Sequence, residues 1–391
     1  MLIDPSSPHL RQNKAERVID LESLGAEALE VVLDTRESSR GLSVLDRLVG
    51  LIRPKVVDYY RWAGVASVMG DILVKTAPDA IFVYEVAALA SMYGLQTPPV
   101  LIALVDLDHL PNLYRLAYSR PRLDRSYFAS VVSTLLGAKA RRDLMLSLLR
   151  ECDVVVDFAA HHAAWLRANG IPQCGYMPTP VFDAGGPEWF SRRMQYGSRE
   201  KARILMIGHL RGTATVTGLE LFARKILPVL EEQLGCDTFE VHIVGGFADT
   251  LSHRLRGMLF KPWVKFRGHV EPADEEFLSA DVLLVPTPIK LGARVRIIVG
   301  YSFGCCVVAH AANKLGIPEM IHGENALLAD DGYGLALAVI EAVKDRELRV
   351  RLGERGRRTY ETHFAPSVVG ARIVAELEQL GDGRHHRPAR Q

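Results

Sequence analysis

Residues 202–230 read ARILMIGHLRGTATVTGLELFARKILPVL: an apolar strand ending at Gly208, a turn of small residues at 209–215, and the start of an amphipathic helix at 219–233. The pattern recurs further on. FEVHIVGGF (239–247) stops at Gly245-Gly246, and DVLLVPTP (281–288) runs into LGARVR (291–296). Strands that end in glycine and lead into helices are typical of a parallel, doubly wound sheet. Helix starts at the carboxyl edge of such a sheet favour anions, so the sequence predicts an α/β domain that holds a phosphate-bearing ligand.

Two halves of the chain show this pattern, so we predict two domains and a connection between them. Strands are expected at 28–34, 80–84, 100–104 and 154–158, and then at 203–207, 239–244, 264–266, 282–286, 306–309 and 326–328. Helices are expected at 10–24, 334–344, 347–363 and 366–380. The predicted divisions are an N-terminal Rossmann-like domain (1–190), a charged linker without regular structure (191–201), a C-terminal Rossmann-like domain (202–365), a last helix (366–380) and a disordered tail (381–391).

The composition is that of a soluble globular protein, with 48% hydrophobic and 24% charged residues in a chain of 391. A net charge of +1 gives no overall signal for nucleic acid. No apolar run is long enough to span a membrane, and no signal-peptide pattern opens the chain. The five irregularly spaced cysteines predict neither a disulfide framework nor a zinc site, which fits a cytoplasmic protein.

Five pieces of the second half, in unbroken order over about residues 203–366, resemble the C-terminal domain of GT-B fold glycosyltransferases. They are ILMIGHLRGTATVTGLELFARKILPVL, FEVHIVGG, VKFRGHV, FLSADVLLVPTPIKLGARVRIIVGYSFGCCVVAH and LGIPEMIHGENALLADD. The likeness is greatest to the large retaining group 1 (family 4-type) glycosyltransferases. It implies two doubly wound Rossmann-like domains facing a cleft, with the last helix crossing back to the first domain.

The resemblance also implies an activity: transfer of a sugar from a nucleotide diphosphate-sugar to a hydroxyl acceptor, either a glycan or a lipid-linked sugar in polysaccharide biosynthesis. In the resembling group the transfer retains the anomeric configuration and needs no metal. The donor is a substrate, so no resident cofactor is expected. Two readings remain as alternatives: a sugar-nucleotide epimerase or hydrolase on the same fold, and a non-catalytic homologue that binds a partner.

This chain departs from the family pattern at several positions. The family commonly carries two glutamates with seven residues between them, and here Leu291 and Val299 stand in their places. His209 replaces the first-loop arginine of the family, and Thr217 or a neighbour replaces its lysine. The usual sugar and ribose contacts therefore cannot be transferred to this chain directly.

Cations and glycines of the second half are the candidates for donor binding. Arg296 matches the basic residue of the family motif and Arg294 precedes it by two, and a guanidinium can grip two phosphate oxygens. Arg211 is a candidate for the missing first-loop cation, and Glu319 for a ribose contact. Glycines at which backbone approaches the ligand complete the set: Gly208, Gly212, Gly245 and Gly292. Each of these residues also has a purely structural reading, as a turn glycine or a surface charge.

The first half contributes two candidate catalytic residues, Asp106 and His109, just after the strand at 100–104. Asp106 at a strand's carboxyl end is expected to face the cleft and touch the acceptor or donor sugar. The sequence Asp106-Leu107-Asp108 matches a three-residue metal motif of a different glycosyltransferase architecture, but the strand order favours a metal-independent site. Glu85 is a weaker candidate of the same kind.

Residues 111–150 carry eight basic and two acidic residues interleaved with aromatic and leucine side chains. Such a segment is typical of a surface that rests on anionic lipid, which would place the protein at the inner face of the membrane. The alternative is a solvated helical face.

Overall fold

The structure is a computed structural model that describes residues 55–56, 60, 66–118, 125–196 and 199–382. The helix predicted at 10–24, the strand predicted at 28–34 and nearly all of the predicted tail lie outside these residues. The strands are β1 (Ile81–Tyr84), β2 (Val100–Leu104), β3 (Val154–Asp157), β4 (Cys174–Tyr176), β5 (Ala202–Ile207), β6 (Phe239–Val244), β7 (Val264–Gly268), β8 (Val282–Val285), β9 (Val307–His310) and β10 (Leu327–Ala329).

The helices alternate with the strands. They are α1 (Ala66–Thr76), α2 (Val86–Leu89), α3 (Leu110–Ala117), α4 (Arg125–Leu149), α5 (Ala160–Ala168), α6 (Trp189–Met194), α7 (Thr213–Leu221), α8 (Leu227–Leu234), α9 (His253–Leu259), α10 (Asp274–Ser279), α11 (Val295–Ser302), α12 (Gly332–Lys344), α13 (Arg346–His363) and α14 (Pro366–Gly381). Between α7 and α8 the helix passes through a π turn, Phe222–Ile226. Pro228 follows this turn and cannot supply the N–H that an α-helical bond needs.

In the described residues all strand pairs are parallel, and they form two sheets. The first has the order β1-β2-β3-β4, and the second has the order β10-β9-β8-β5-β6-β7. In the second sheet β5 pairs with β8, so the strand order reverses between them. At such a reversal the loops that follow the two strands run in opposite directions. The crevice between them is the usual ligand site of an open α/β sheet. The α/β fold class with two Rossmann-like sheets is thus confirmed.

Alternating side chains place a hydrophobic core on each face of the second sheet. Ile204 and Met206 of β5 join the cluster that contains Phe222, whereas Leu205 joins the cluster that contains Ile297. This alternation follows from the two-residue repeat of a strand. Helix α14 packs on the first sheet, where its Val369 and Leu380 share a buried cluster with β2 and β3.

Two predictions about the segments around the second sheet are wrong. The helix predicted at 219–233 begins six residues earlier, at Thr213, because Gly212 O accepts from the N–H groups of Thr215 and Val216. The segment predicted to lack regular structure begins inside α6, which is held by an ion pair of 3.1 Å between Arg192 and Asp274. The short strand β4 was not predicted.

Candidate active site

The end of β5 is packed so closely that only glycine fits there. Gly208 follows β5 and Gly245 follows β6, with φ values of 153° and 152°. A Cβ on Gly245 would overlap Gly208 O, and a Cβ on Gly208 would overlap the guanidinium of Arg296. These glycines therefore let a cation lie directly against the carboxyl end of β5, at the reversal point of the sheet.

Arg296, in the first turn of α11, is the cation held there. Its Nη1 donates to Ile207 O at 2.6 Å and its Nη2 donates to Thr215 Oγ1 at 3.1 Å. No carboxylate contacts it within the described residues. Burial, and secondarily Arg294, lowers the pKa of Arg296 to about 10. The side chain is therefore still charged at neutral pH, and an anionic ligand would supply the countercharge that the protein does not.

Arg294 is a second cation at the same edge. Its Nη2 reaches Ile289 O at 3.5 Å, and its Nε is buried with no hydrogen-bond partner in the described part of the chain. Burial lowers the pKa of Arg294, while the carboxylate of Asp106 acts to raise it. The two guanidiniums carry two positive charges, which match the two negative charges of an esterified diphosphate.

The start of α7 adds backbone donors beside Arg296. Gly212 is the N-cap residue, in an extended conformation, and no side chain of the described residues caps the first turn. The leading N–H groups of α7 and the positive end of its dipole therefore favour an anion. Thr215 belongs to this turn and also accepts from Arg296, so the helix start and the guanidinium adjoin each other.

An exposed aromatic side chain stands beside this crevice. Phe247, 41% exposed and in the left-handed region with φ 71°, follows the glycines that end β6. The ring of His209 lies 5.1 Å from it, and the guanidinium carbon of Arg211 lies 4.4 Å above it. Arg211, within the loop after β5, is thus positioned by a cation–π contact with the loop after β6.

Carboxyl groups collect at the facing edge of the first sheet. Glu85 follows β1, Asp106 and Asp108 follow β2, and Asp157 ends β3. Burial raises the pKa of all four, that of Glu85 to about 8. Glu85 has φ 71°, and its Oε1 accepts from Val105 N at 3.1 Å. Asp106 Oδ1 is buried with no hydrogen-bond partner among the described residues.

The raised pKa of Glu85 predicts a pH dependence of stability. The folded protein binds the Glu85 proton more tightly than the unfolded chain does. The contribution of Glu85 to the free energy of unfolding is therefore full below about pH 4.5 and is lost as pH rises through about 8. Glu85→Gln keeps the acceptor for Val105 N and removes the charge, so we expect it to raise the free energy of unfolding at pH 8.5 by about 1–3 kcal/mol. Urea denaturation at pH 5 and pH 8.5 measures this, and an equal change at both pH values would contradict the assignment.

The two domains touch where the loop after β8 meets this edge. Gly292 N donates to His162 Nε2 at 3.3 Å, and Tyr114 OH donates to Lys290 O at 3.0 Å. Gly292 has φ 58°, and a Cβ on it would overlap Asp106 Oδ1. Asp106 therefore lies across the domain boundary from Gly292 and within electrostatic reach of Arg294.

Other candidates from the sequence lie in different surroundings. His109 is buried against Trp165, with 5.0 Å between ring centres, and burial lowers its pKa to about 4, so its ring is neutral. The Thr217 hydroxyl is used within α7, on Thr213 O at 2.9 Å. Glu319 accepts from the Tyr176 hydroxyl at 2.9 Å, across the domain boundary. The binding roles predicted for these residues stay predictions.

Sequence reasoning missed three residues that the structure brings to the site: Thr215, Phe247 and His162. His162 Nδ1 lies 3.6 Å from Asp157 Oδ1, and burial lowers the pKa of His162 to about 4. The adjacent histidines of the stretch FAAHHAAWL, directly after β3, were the available signal for His162. Phe247 was signalled only by its place after Gly245-Gly246. In the described residues, no group of three or more His, Cys, Asp or Glu side chains is arranged to hold a metal ion.

Comparison with known proteins finds a family match for the second domain. Residues 201–345 match the family model "Glycosyl transferases group 1". No curated protein matches the chain by sequence.

Solved structures of glycosyltransferases share the fold of the two described sheets. HepE from Anabaena, in complex with UDP and glucose, superposes with a TM-score of 0.62 at 14% identity, covering 96% of this chain and 98% of HepE. Sucrose-phosphate synthase from Thermosynechococcus elongatus has a TM-score of 0.62 at 17% identity, with coverages of 81% and 77%. A glycosyltransferase from Rickettsia africae has a TM-score of 0.61 at 11% identity and covers 97% of both chains. The predicted GT-B fold is confirmed.

Proposed function

We propose that this chain, which carries a group 1 glycosyl transferase domain at residues 201–345, moves a sugar from a nucleotide diphosphate-sugar to a hydroxyl acceptor. The observation that carries the proposal is the pair Arg294 and Arg296 at the reversal point of the second sheet, with no carboxylate on Arg296 among the described residues. The UDP-sugar complexes of HepE support a donor of this class.

The arginine pair supports a transfer that does not require a metal. Negative charge grows on the departing diphosphate as the glycosidic bond breaks, and fixed cations with a helix start stabilise it without rearranging. Arg296 is held by Ile207 O and Thr215 Oγ1, so its position is set before the donor arrives. We expect activity to persist after treatment with EDTA.

Sugar recognition in this proposal relies on residues other than the paired glutamates. Leu291 is buried, and Val299, within α11, is half-buried against the hydrophobic core, so both positions carry apolar side chains where the family has glutamates. Asp106 is the carboxylate that faces Arg294, and we propose that it contacts the transferred sugar. Retention of the anomeric configuration is proposed from the resemblance, and the coupling constant of the anomeric proton in the product tests it.

One observation keeps a second reaction open. The carboxyl groups of Glu85, Asp106 and Asp157 have raised pKa values at the domain boundary, and such groups are suited to acid–base chemistry. A sugar-nucleotide hydrolase or epimerase would use them without an acceptor. The absent glutamates favour a different alternative, a non-catalytic binding homologue.

Release of nucleoside diphosphate separates these functions. The protein is incubated with the common sugar nucleotides, with and without a mixture of glycan and lipid-linked acceptors. Release that depends on acceptor supports transfer. Release without acceptor identifies a hydrolase, isomerisation of the donor without release identifies an epimerase, and binding without any turnover identifies a non-catalytic homologue.

The first half of α4 supports a membrane-surface acceptor. Phe128, Val132 and Leu135 recur on one face of this helix and are 58%, 55% and 51% exposed. Basic side chains follow in the same helix, at Lys139 and Arg142, although both pair with Asp143. We propose that this face rests on anionic lipid at the inner face of the membrane. No helix among the described residues has both the length and the apolar character of a membrane span.

The triple variant Phe128→Ser, Val132→Ser, Leu135→Ser is expected to bind phosphatidylglycerol vesicles with a partition coefficient about tenfold lower than the wild type. The reason is that three apolar side chains no longer enter the lipid. Co-sedimentation measures the partition coefficient. Val74→Ser is the matched control, since Val74 is 84% exposed on α1 of the same domain. Equal binding of the triple variant and the wild type would remove this surface from the proposal.

A further inference from the structure

A cavity of about 300 Å³ opens at the edge of the second sheet opposite the candidate active site. Its floor includes Ala202, the first residue of β5, and Thr238, just before β6. One wall is formed by residues 193–196 and 199–200, between the two sheets, and the other is the first turn of α13. This volume is at the lower end of the range for small-molecule sites.

The cavity has an excess of positive charge. Four arginines line it, against two acidic residues: Arg193, Arg199, Arg346 and Arg349, with Glu200 and Asp281. Asp281 is shared by two of the arginines, with separations of 3.8 Å to Arg199 and 3.5 Å to Arg349. The lining side chains therefore carry a formal charge of +2.

Neutral carbonyl groups hold three of the arginines in place without cancelling their charge. Arg193 donates to Phe277 O and Ala280 O at the end of α10, and Arg199 donates to Ser279 O. Arg349 donates to Ala342 O and Val343 O at the end of α12, at 2.7 and 2.8 Å. These contacts also explain the arginines as caps of two helix ends, so capping by itself does not indicate a ligand.

Helix capping does not explain two features of the arginines that line the cavity. Arg199 Nε is buried with no hydrogen-bond partner among the described residues. Arg346 is exposed, occupies the first position of α13, and has no hydrogen bond or ion pair in the described part of the chain. A cation at the start of an 18-residue helix opposes the helix dipole. An anion in the cavity would pair with the Arg346 side chain and offset the positive charge of Arg199.

We propose that this cavity binds a small phosphate monoester of about the size of a sugar phosphate. A phosphate offers acceptors for the N–H groups of Arg346, and its charge matches the excess on the walls. The cavity lies at the amino end of β5, whereas Arg296 lies at the carboxyl end, roughly 20 Å away along six residues of strand. It is thus separate from the donor site. Its occupant would bridge the interdomain segment and the C-terminal domain.

Titration calorimetry at low ionic strength with glucose 6-phosphate, and with glucose as the uncharged control, tests the proposal on the full chain. Arg346→Gln removes a cavity cation that makes no contact in the described residues, and we expect it to weaken glucose 6-phosphate binding about fivefold. Arg351→Gln is the matched control, because Arg351 is exposed on the same helix and does not line the cavity. Arg296→Gln controls for the donor site and should leave this binding unchanged.

Three outcomes would overturn the proposal. They are no binding of glucose 6-phosphate to the wild type at millimolar concentration, equal weakening by Arg346→Gln and Arg351→Gln, and loss of binding in Arg296→Gln alone. The second would indicate a diffuse surface effect, and the third would indicate binding at the donor site.

Discussion

Replacing Arg296 by glutamine is expected to lower kcat/KM for sugar transfer by about 10²–10³-fold, by analogy with the loss of one preorganised oxyanion donor. The reason is the position of the guanidinium, which is fixed by Ile207 O and Thr215 Oγ1 at the start of α7. The uncharged side chain no longer offsets charge growing on the leaving diphosphate. Initial-rate kinetics with the preferred donor and acceptor measure the loss.

The same variant should not be less stable than the wild type. Arg296 is a largely buried cation without a carboxylate partner among the described residues, so removing its charge relieves a desolvation cost. We expect an unchanged or higher Tm together with the loss of activity. Arg224→Gln, on the π turn that follows α7, is the control and should keep the wild-type Tm and the wild-type activity. A fall in Tm that accounts for the lost activity would show that Arg296 is only structural.

Gly292→Ala is expected to lower kcat by about 10²-fold by preventing the domains from closing. Gly292 lies against Asp106 Oδ1 across the domain boundary, and an added Cβ has no room there. The methyl group must push the loop after β8 away from His162, and with it Arg294 away from Asp106. Small-angle scattering should show a larger radius of gyration, and kinetics should show the loss in kcat.

Gly323→Ala separates the clash from backbone strain. Gly323 also has a positive φ, 76°, but a Cβ there meets nothing within 4 Å. Both alanines carry the cost of the left-handed conformation, roughly 1–2 kcal/mol. We therefore expect Gly292→Ala and Gly323→Ala to lower stability by similar amounts, and only Gly292→Ala to lower kcat. Equal kinetic effects of the two variants would mean that Gly292 is a turn glycine and not a point of domain contact.

The second sheet could be predicted almost residue by residue because β5, β6, β8 and β9 are apolar and mostly buried, and because glycine follows β5 and β6. The strand at 239–244 was predicted with the bounds that the structure shows, and the other predicted strands are within two residues of theirs. The start of α7 was missed because threonine and glycine are weak helix formers. There the carbonyl of Gly212 and packing against β5 decide the conformation, and neither is visible in local sequence.

The site could be predicted only where a motif carries it. Arg294 and Arg296 stand in a motif, so they were found in the sequence together with the glycines of the strand ends. Thr215 was missed because its role depends on Arg296, which is 81 residues away in sequence. His162 was missed for a similar reason: it meets Gly292, 130 residues away, across the domain boundary. Contacts of this kind arise from the packing of two domains and leave no periodic trace in the chain.

Calorimetric titration of the wild type and Arg296→Gln with UDP, GDP, ADP and TDP tests the diphosphate site directly. We expect that one nucleoside diphosphate binds the wild type and that its affinity falls at least about tenfold in the variant, while Arg224→Gln binds like the wild type. If none of the four binds the wild type at millimolar concentration, or if one binds both proteins equally, the crevice at Gly208 and Arg296 is not a diphosphate site.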